Sequence, residues 1–555
     1  MTERKTTEYL VLPSSGGPLS QQIGQNRDNI SSPNPPILNL HSDILWWIFW
    51  LNADMEDEAK EQEEIAAIDT LRYSSQVCSR WRQIILSFSS LWGQVINLSR
   101  LEHDDWRDEV LCRTGRSLLS VLWVYPDLKR LSEDVAAEIL GRHWDRIRWL
   151  EIDFTTCEFL GDFNIVQFWN IFHRPSEVLA TFRVFFDCVD QIPSPILSPS
   201  DFIVFNNLAP ALRVYFAPNI KFNLDAPWLA NIRFLALNGQ VSAYDVIQAI
   251  PHMPFLEILA DKTSNAMACT GDAVSSLPQI TAPSIKEIIL SSTSDLRPYM
   301  DFLAQIKPAA GCHLYFNHLS RDFDLETLSL ANRVLYDYSR CCNVAKAIDL
   351  LLVLSPFSFN FEAQIPREGK FCFKVEFYRD IPRDIVEAFF AALPSVEFRE
   401  VKALSLEISP RVLEPADSRI IRFILSVPSV ETLTVTPNTL DFLLNLPSDI
   451  LAPSFPLLYT VEISRLPGKE LSTIEQFLTS RILIGRPVGV LYIPINRDFY
   501  TDLRSLEEYT GLKIILQGDG EEYQHTCGNG RKDALLIPPK YPSDLSSSES
   551  SSEGE

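Results

Sequence analysis

One short apolar pattern returns along most of the chain and constrains the fold more than any other feature. Its form is apolar-x-x-apolar-x-apolar, as in Val401-x-x-Leu404-x-Leu406. Clear copies begin at Ile147, Leu179, Ile232, Ile285, Val401, Val430, Leu458 and Val488, and weaker copies begin at Leu212, Leu256 and Leu512. Side chains of a strand alternate between two faces, so the last two apolar positions share one face. The pattern therefore predicts many short strands, each buried on one side.

The copies from 147 to 285 and from 401 to 512 lie 20 to 33 residues apart. This series resembles leucine-rich repeats, which carry L-x-x-L-x-L in units of about 20–29 residues. Stacked units bury one continuous core, because each unit packs on its neighbours. The resemblance predicts an α/β solenoid with a parallel sheet over 146–517. The alternative is a βα core that alternates strands and helices without solenoid stacking.

The residues around each copy agree with this interpretation. Proline lacks an N–H and suits the entrance of a strand, and it stands two positions before five copies, at Pro210, Pro254, Pro283, Pro428 and Pro456. Helix-like runs at 294–306 and 383–393 suit the side opposite the strands. The period breaks between 317 and 400, where we expect one or two degenerate repeats and an insertion.

A Trp-rich segment at 37–51 predicts a helix that is apolar on nearly every side, with Ser42 or Asp43 as its cap. Trp46, Trp47 and Trp50 cannot all point to one side of such a helix. A helix this apolar needs cover on more than one side, so we expect it to pack against a second surface.

Three elements in order resemble an F-box: Leu40-x-x-Asp43-Ile44-Leu45-x-x-Ile48-Phe49, then Val77-Cys78-x-x-Trp81-x-x-Ile84, then Leu91-Trp92. His41 and Asp43 stand where the family has Pro and Glu. Tyr73, Val77, Trp81 and Ile84 recur at helical spacing and predict one helix face. The acidic stretch 54–64, with seven acidic residues and one lysine, lengthens the first connection, which a loop tolerates.

F-box modules are three-helix units that bind a Skp-type adaptor and through it a cullin–RING ubiquitin ligase. The resemblance implies that the repeats select a protein substrate, an arrangement common in fungal proteins of this family. The alternative is that these helices pack only against the repeats. Carried over by position, the adaptor-binding residues are Leu40, Ile44, Leu45, Ile48, Phe49, Leu71, Val77, Cys78, Trp81, Leu91 and Trp92.

Four basic residues follow the first apolar position of their repeats and are candidates for a substrate-binding concave face: Arg213, Arg233, Lys286 and Lys402. The alternative is that they only keep the surface soluble. The net charge of −23 and the lack of a basic run argue against a nucleic-acid-binding surface.

Catalytic signatures such as G-x-S-x-G, H-E-x-x-H and the P-loop are absent from the sequence. We therefore expect a substrate receptor that is not an enzyme and needs no cofactor or metal. His525 and Cys527, or Cys312 and His313 with His318, supply at most half of a metal site. The competing functions are a repeat scaffold without ubiquitination output and an enzyme with an unfamiliar motif.

The predicted organisation has five parts. Residues 1–36 are a disordered segment, 37–100 the helical module, 101–145 a helical connector, 146–517 the repeats and 518–555 a disordered Ser/acidic tail. In the tail, Ser546, Ser550 and Ser552 each precede a glutamate by three residues, which acid-directed kinases favour. The absence of a signal peptide or an apolar run of about 20 residues predicts a cytoplasmic or nuclear protein without a membrane segment.

Overall fold

A computed structural model describes residues 37, 40–53, 55, 66–124, 132–153, 165–185, 202–218, 220–237, 241–261, 279–293, 295–320, 324–366, 369–380, 383–393, 397–464, 471–494, 501–518 and 521–537. The predictions for 1–36, for nearly all of 54–64 and for the serines at 546–552 lie outside these residues. Among the described helices, none is both long and apolar enough to cross a bilayer.

The α-helices of the described chain are α1 (Ser42–Asn52), α2 (Ala67–Val77), α3 (Ser79–Ser87), α4 (Ser89–Gly93), α5 (Asp104–Arg113), α6 (Glu133–His143), α7 (Ile165–Phe172), α8 (Ala243–Ala249), α9 (Arg297–Gln305), α10 (Leu325–Cys341), α11 (Arg383–Ala392), α12 (Ser418–Ser426), α13 (Pro437–Leu444), α14 (Ser448–Leu451) and α15 (Leu471–Leu483). The helices predicted at 294–306 and 383–393 are thereby confirmed as α9 and α11.

The strands are β1 (Ile96–Asn97), β2 (Leu119–Val124), β3 (Ile147–Asp153), β4 (Thr181–Phe185), β5 (Val214–Phe216), β6 (Phe234–Ala236), β7 (Ile258–Asp261), β8 (Ile280–Thr281), β9 (Glu287–Ser292), β10 (Ile306–Lys307), β11 (His313–Ser320), β12 (Asp349–Ser355), β13 (Ser358–Ile365), β14 (Gly369–Phe377), β15 (Ala403–Ile408), β16 (Thr432–Val435), β17 (Thr460–Ile463), β18 (Val490–Pro494), β19 (Thr501–Asp502), β20 (Lys513–Gly518), β21 (Glu521–Thr526) and β22 (Leu536–Ile537).

Eighteen of the described strands form one sheet, and β8 with β10 and β19 with β22 form two small pairs. The large sheet runs from β1 through β7 to β9, β11, β14, β13, β12, β15–β18, β20 and β21. All of its neighbours are parallel except those of β13 and β21. The fold is therefore mixed α/β with a large, mainly parallel sheet, consistent with the predicted solenoid.

The repeat pattern determines the register of this sheet. Its second apolar position forms two columns of paired residues: Leu150, Phe182, Tyr215, Leu235, Leu259 and Ile288, and Leu404, Leu433, Val461, Leu491 and Ile514. These side chains are all buried in one core. A one-residue slip would expose a whole strand, so burial holds the register.

The copy predicted at Leu512 is out of register by one residue. Leu491 pairs with Ile514 and Ile493 with Leu516, so the repeat begins at Gly511. Ile514, Ile515 and Leu516 are all buried in β20. A continuous apolar run does not reveal which of its members face the core, which explains the error.

The irregular region 317–400 contains a three-stranded meander. After β11 and α10 the chain forms β12, β13 and β14, and β14 returns to pair with β11. β12 then pairs with β15, so the sheet continues without interruption. The predicted insertion thus forms antiparallel strands that are part of the large sheet.

Two predicted boundaries are wrong. The helical connector 101–145 contains β2, which pairs in parallel with β3, so the sheet begins well before residue 146. Leu119, Val121 and Trp123 of β2 are buried and give this strand a core face. The tail predicted as disordered from 518 instead begins with β21 and β22 in its described residues up to 537.

Candidate partner-binding surfaces

Helix α1 presents three different faces to its surroundings. Leu45 and Phe49, four residues apart, are buried against the chain's own core. Trp46 and Trp50 lie on a second face, where their rings are 5.0 Å apart and partly buried. These two faces pack against the chain itself. The third face therefore determines whether α1 has exposed surface for another protein.

The third face of α1 is an apolar stripe of Ile44, Trp47, Ile48 and Leu51. Ile44 is 49% exposed, Trp47 56% and Leu51 70%, while Ile48 is partly buried at the margin. Spacings of three and four residues bring these side chains together on a helix. Water contact at so many large apolar side chains is unfavourable, which makes the stripe a candidate interaction surface.

The predicted single helix over Tyr73, Val77, Trp81 and Ile84 does not exist. Cys78 is extended, with φ −156° and ψ 165°, and divides α2 from α3. Its Sγ accepts a hydrogen bond from the N–H of Trp81 at 3.5 Å and caps α3. The break leaves Tyr73 and Val77 exposed and directs Ile84 into the core.

The structure sorts the eleven predicted adaptor-binding residues into three groups. Ile44 and Val77 are exposed. Leu40, Ile48, Cys78 and Trp81 are partly buried. Leu45, Phe49, Leu71, Leu91 and Trp92 are buried in this chain. The last group is corrected to core, because its surface is already covered and no partner can reach it.

Sequence reasoning missed Trp47 and Leu51 as members of the exposed stripe. The spacing Ile44, Trp47, Leu51 was a usable signal, since it follows one side of a helix. It was hidden because the neighbouring faces of α1 are equally apolar.

Trp92 packs between helices α3 and α5. It is fully buried, and its Nε1 donates to the carbonyl of Ile85 at 2.9 Å. The Arg113 guanidinium lies 4.6 Å from the centre of the Trp92 ring, and Trp106 packs edge-on against the same ring. A side chain at Gly93 would collide with the carbonyl oxygen of Leu118, just before β2. The helical module is thus packed firmly onto the first strands.

The side chains that alternate with the core residues form a second, open face of the sheet. Between β4 and β9 this face carries a small apolar cluster separate from the main core. The rings of Phe185 and Phe216 are 4.6 Å apart, and those of Phe216 and Phe234 are 5.5 Å apart. Ala236, Ala260 and Ile289 complete this cluster, which we call the open-face strip. Phe216, Ala236 and Ala260 are buried in it, while Phe185, Phe234 and Ile289 are partly exposed.

The four basic residues proposed for substrate binding are exposed but lie beside the open face, at the edge where the strands begin. Arg213 immediately precedes β5, and Lys402 precedes β15. Arg233 and Lys286 share Glu257, at 3.4 and 2.8 Å, and Lys402 pairs with Glu431. The concave-face assignment is therefore corrected: these residues occupy the entrance to each strand, before the alternation of faces begins.

The comparisons with known proteins give little. No protein-family profile matches the chain, and no curated protein matches it significantly. Among solved structures, it has a likeness to the leucine-rich repeat-containing protein LegL7 from Legionella pneumophila. That likeness covers 52% of this chain and 84% of the other, at 14% identity and a TM-score of 0.24. A TM-score this low does not establish a shared fold, and the mixed α/β fold follows from the strand order and register of this chain itself.

Proposed function

We propose that this chain is the substrate-recruiting subunit of a Skp–cullin–F-box ubiquitin ligase. Its N-terminal helices bind a Skp-type adaptor, and its repeats bind a protein substrate. The subunit supplies no catalytic group; it raises the effective concentration of the substrate near the ubiquitin-transfer machinery. The single observation that carries the proposal is the exposed apolar stripe of α1, within the segment that resembles an F-box.

The stripe supports adaptor binding because it is the apolar face of α1 that the described residues of this chain leave exposed. Leu45 and Phe49 already pack inward, and Trp46 and Trp50 pack beside them. Apolar burial contributes roughly 25 cal/mol per Å2, and buried tryptophans often dominate interface energies. We therefore place Ile44, Trp47 and Leu51 at the centre of the adaptor contact.

The substrate surface is proposed along the open-face strip. Phe185 and Phe234 are partly buried there and provide apolar contact area. Arg213 stands at the neighbouring edge, and no described residue forms an ion pair with it. Opposite charges favour and steer association. We expect the recruited segment to carry apolar side chains next to acidic ones.

Adaptor binding is tested with the purified full chain and a recombinant Skp-type adaptor. Leu51→Asp, on the stripe, is compared with Leu483→Asp, at the end of α15, where the leucine is 81% exposed. We expect Leu51→Asp to weaken adaptor binding at least tenfold, because it places a charge in an apolar contact, and Leu483→Asp to leave it unchanged. Absence of binding by the unchanged chain, or equal binding by both variants, would refute the proposal.

Ubiquitin transfer is tested separately, after a substrate segment has been selected from a peptide library. Transfer to that segment in a reconstituted ligase supports the receptor function. Adaptor binding without transfer supports the scaffold instead. Selection of apolar-acidic peptides that is lost in Arg213→Glu supports the open-face assignment, and selection indifferent to this change contradicts it.

A further inference from the structure

Three metal-ligating side chains meet at the C-terminal end of the sheet. They are the Glu507 carboxylate, the His525 imidazole and the Cys527 thiol, and their ligand atoms all lie within 4.8 Å of one another. All three residues are buried. The sequence shows only His525 and Cys527 as neighbours, since Glu507 lies 18 residues before His525. The fold thus completes what the sequence presents as half a site.

Backbone geometry positions each of these groups. His525 lies in β21 and Cys527 directly follows that strand, where its N–H donates to the carbonyl of Leu512 at 2.8 Å. The extended pairing therefore continues to Cys527, and both side chains lie on one face. Glu507 belongs to the short 3₁₀ turn Arg504–Glu508. Its Oε1 accepts hydrogen bonds from the N–H groups of Gly528 and Gly530, at 3.1 and 2.8 Å. Its Oε2 lies 2.7 Å from Nε2 of His525.

The turn that holds the carboxylate depends on glycine. Gly528 and Gly530 have φ of 87° and 80°, in the left-handed region that favours glycine. This conformation wraps both N–H groups around one oxygen of Glu507 and leaves the other oxygen directed at His525. Hydrogen bonds of this kind orient a ligating carboxylate in metal sites.

We infer that Glu507, His525 and Cys527 bind one zinc ion. Zinc accepts thiolate, imidazole and carboxylate ligands at about 2.0–2.3 Å. A thiolate in the set favours zinc over magnesium or calcium, which prefer oxygen ligands. With Oε2, Nε2 and Sγ as protein ligands, one water completes the tetrahedron. The three ligand atoms, which lie within 4.8 Å of one another, would rearrange around the ion.

Zinc binding displaces protons. Zinc binds the thiolate, so the Cys527 thiol must lose its proton to the solvent as the ion binds. His525 binds through Nε2 and gives up its hydrogen bond to Glu507. Protons therefore compete with the ion, and the affinity falls in acid.

The ion would tie the turn 504–508 to the hairpin that ends the sheet. β21 covers the last parallel strand, β20, as an antiparallel neighbour. Terminal units of repeat proteins need such a cap, because their outer side has no further repeat to pack on. The competing explanation for this cluster is that the Glu507–His525 hydrogen bond alone connects the turn to the hairpin, without a metal ion. This inference is independent of the adaptor-binding proposal.

The test uses the purified full-length chain, its zinc content and its spectrum with Co2+. We expect one zinc per chain and, after replacement by Co2+, thiolate-to-cobalt charge transfer with tetrahedral d–d bands. Cys527→Ser should lose the charge-transfer band and bind Co2+ at least tenfold more weakly. Cys112→Ser, which changes an exposed thiol on α5, is the matched control and should keep both.

If Cys527→Ser does not fold, thermal unfolding of the unchanged chain still tests the inference. A chelator should lower the unfolding midpoint, and zinc should restore it. A chain that purifies without zinc and gives no thiolate band with Co2+ overturns the inference. The same holds if the unfolding midpoint is equal with and without the chelator.

Discussion

The two ends of the large sheet are closed in different ways. At the first end, the edge strand is the two-residue β1, which follows helices α1–α4 and precedes α5 in the chain. Nine large apolar side chains between residues 37 and 124 of the described chain stay exposed there. At the last end, the antiparallel strand β21 covers β20, and beyond residue 500 only Tyr523 among the described large apolar side chains is exposed. An edge needs cover to avoid pairing with other chains. The first end exposes large apolar side chains that do not serve to cover the edge strand. A surface of this kind is what our proposed adaptor-binding module requires.

The largest expected change in the free energy of unfolding is at the core of the first end, and the exposed stripe should show a much smaller one. Trp92→Ala removes a fully buried indole and leaves the carbonyl of Ile85 without its donor. We expect a loss of about 3–5 kcal/mol in the free energy of unfolding, measured by urea denaturation. Trp47→Ala, at an exposed tryptophan, is the control. Similar losses in the two variants would mean that α1 has no free face.

A smaller effect is expected from Glu507 at the last end. Hydrogen bonding to His525 and to the N–H groups of Gly528 and Gly530 lowers the pKa of Glu507. A carboxyl group whose pKa is lower in the folded state stabilises the fold above its ordinary pKa and loses this contribution as the pH falls through the lowered value. In the chelator-treated, metal-free chain, Glu507→Gln should therefore lower the unfolding midpoint at neutral pH, and by less at pH 3.

The control for this experiment is Glu508→Gln, a neighbour in the same turn that is exposed. It should change the unfolding midpoint little at either pH. A midpoint of Glu507→Gln that differs from the unchanged chain equally at both pH values would contradict the charge-based account of this end.

The smallest effect is expected at the tip of the stripe. Leu51→Ser should change the free energy of unfolding by no more than about 0.5 kcal/mol, because this side chain is 70% exposed. The same urea measurement applies. A loss above 1 kcal/mol would show that the chain's own residues cover Leu51, and the contrast between the two ends would weaken.

The sequence predicted much of the repeat architecture, because the residues that form the core of each repeat strand stand out as apolar among polar or small neighbours. Leu404 and Leu433 are apolar, flanked by polar or small residues, and they meet in register in adjacent strands. The meander was not predictable, since β12, β13 and β14 are as apolar as the repeat strands around them. Choosing between parallel and antiparallel partners depends on which segments meet in space, which no local pattern contains.

The strand series and the apolar character of α1 could be predicted from the amino-acid sequence, because burial of alternate residues and helix periodicity are local properties of the chain. The folded chain alone shows that Leu45 and Phe49 point inward while Ile44, Trp47 and Leu51 face water. Only it brought Glu507 to His525 and Cys527. Exposure and ligand geometry depend on contacts between segments far apart in sequence, and those contacts exist only once the sheet has formed.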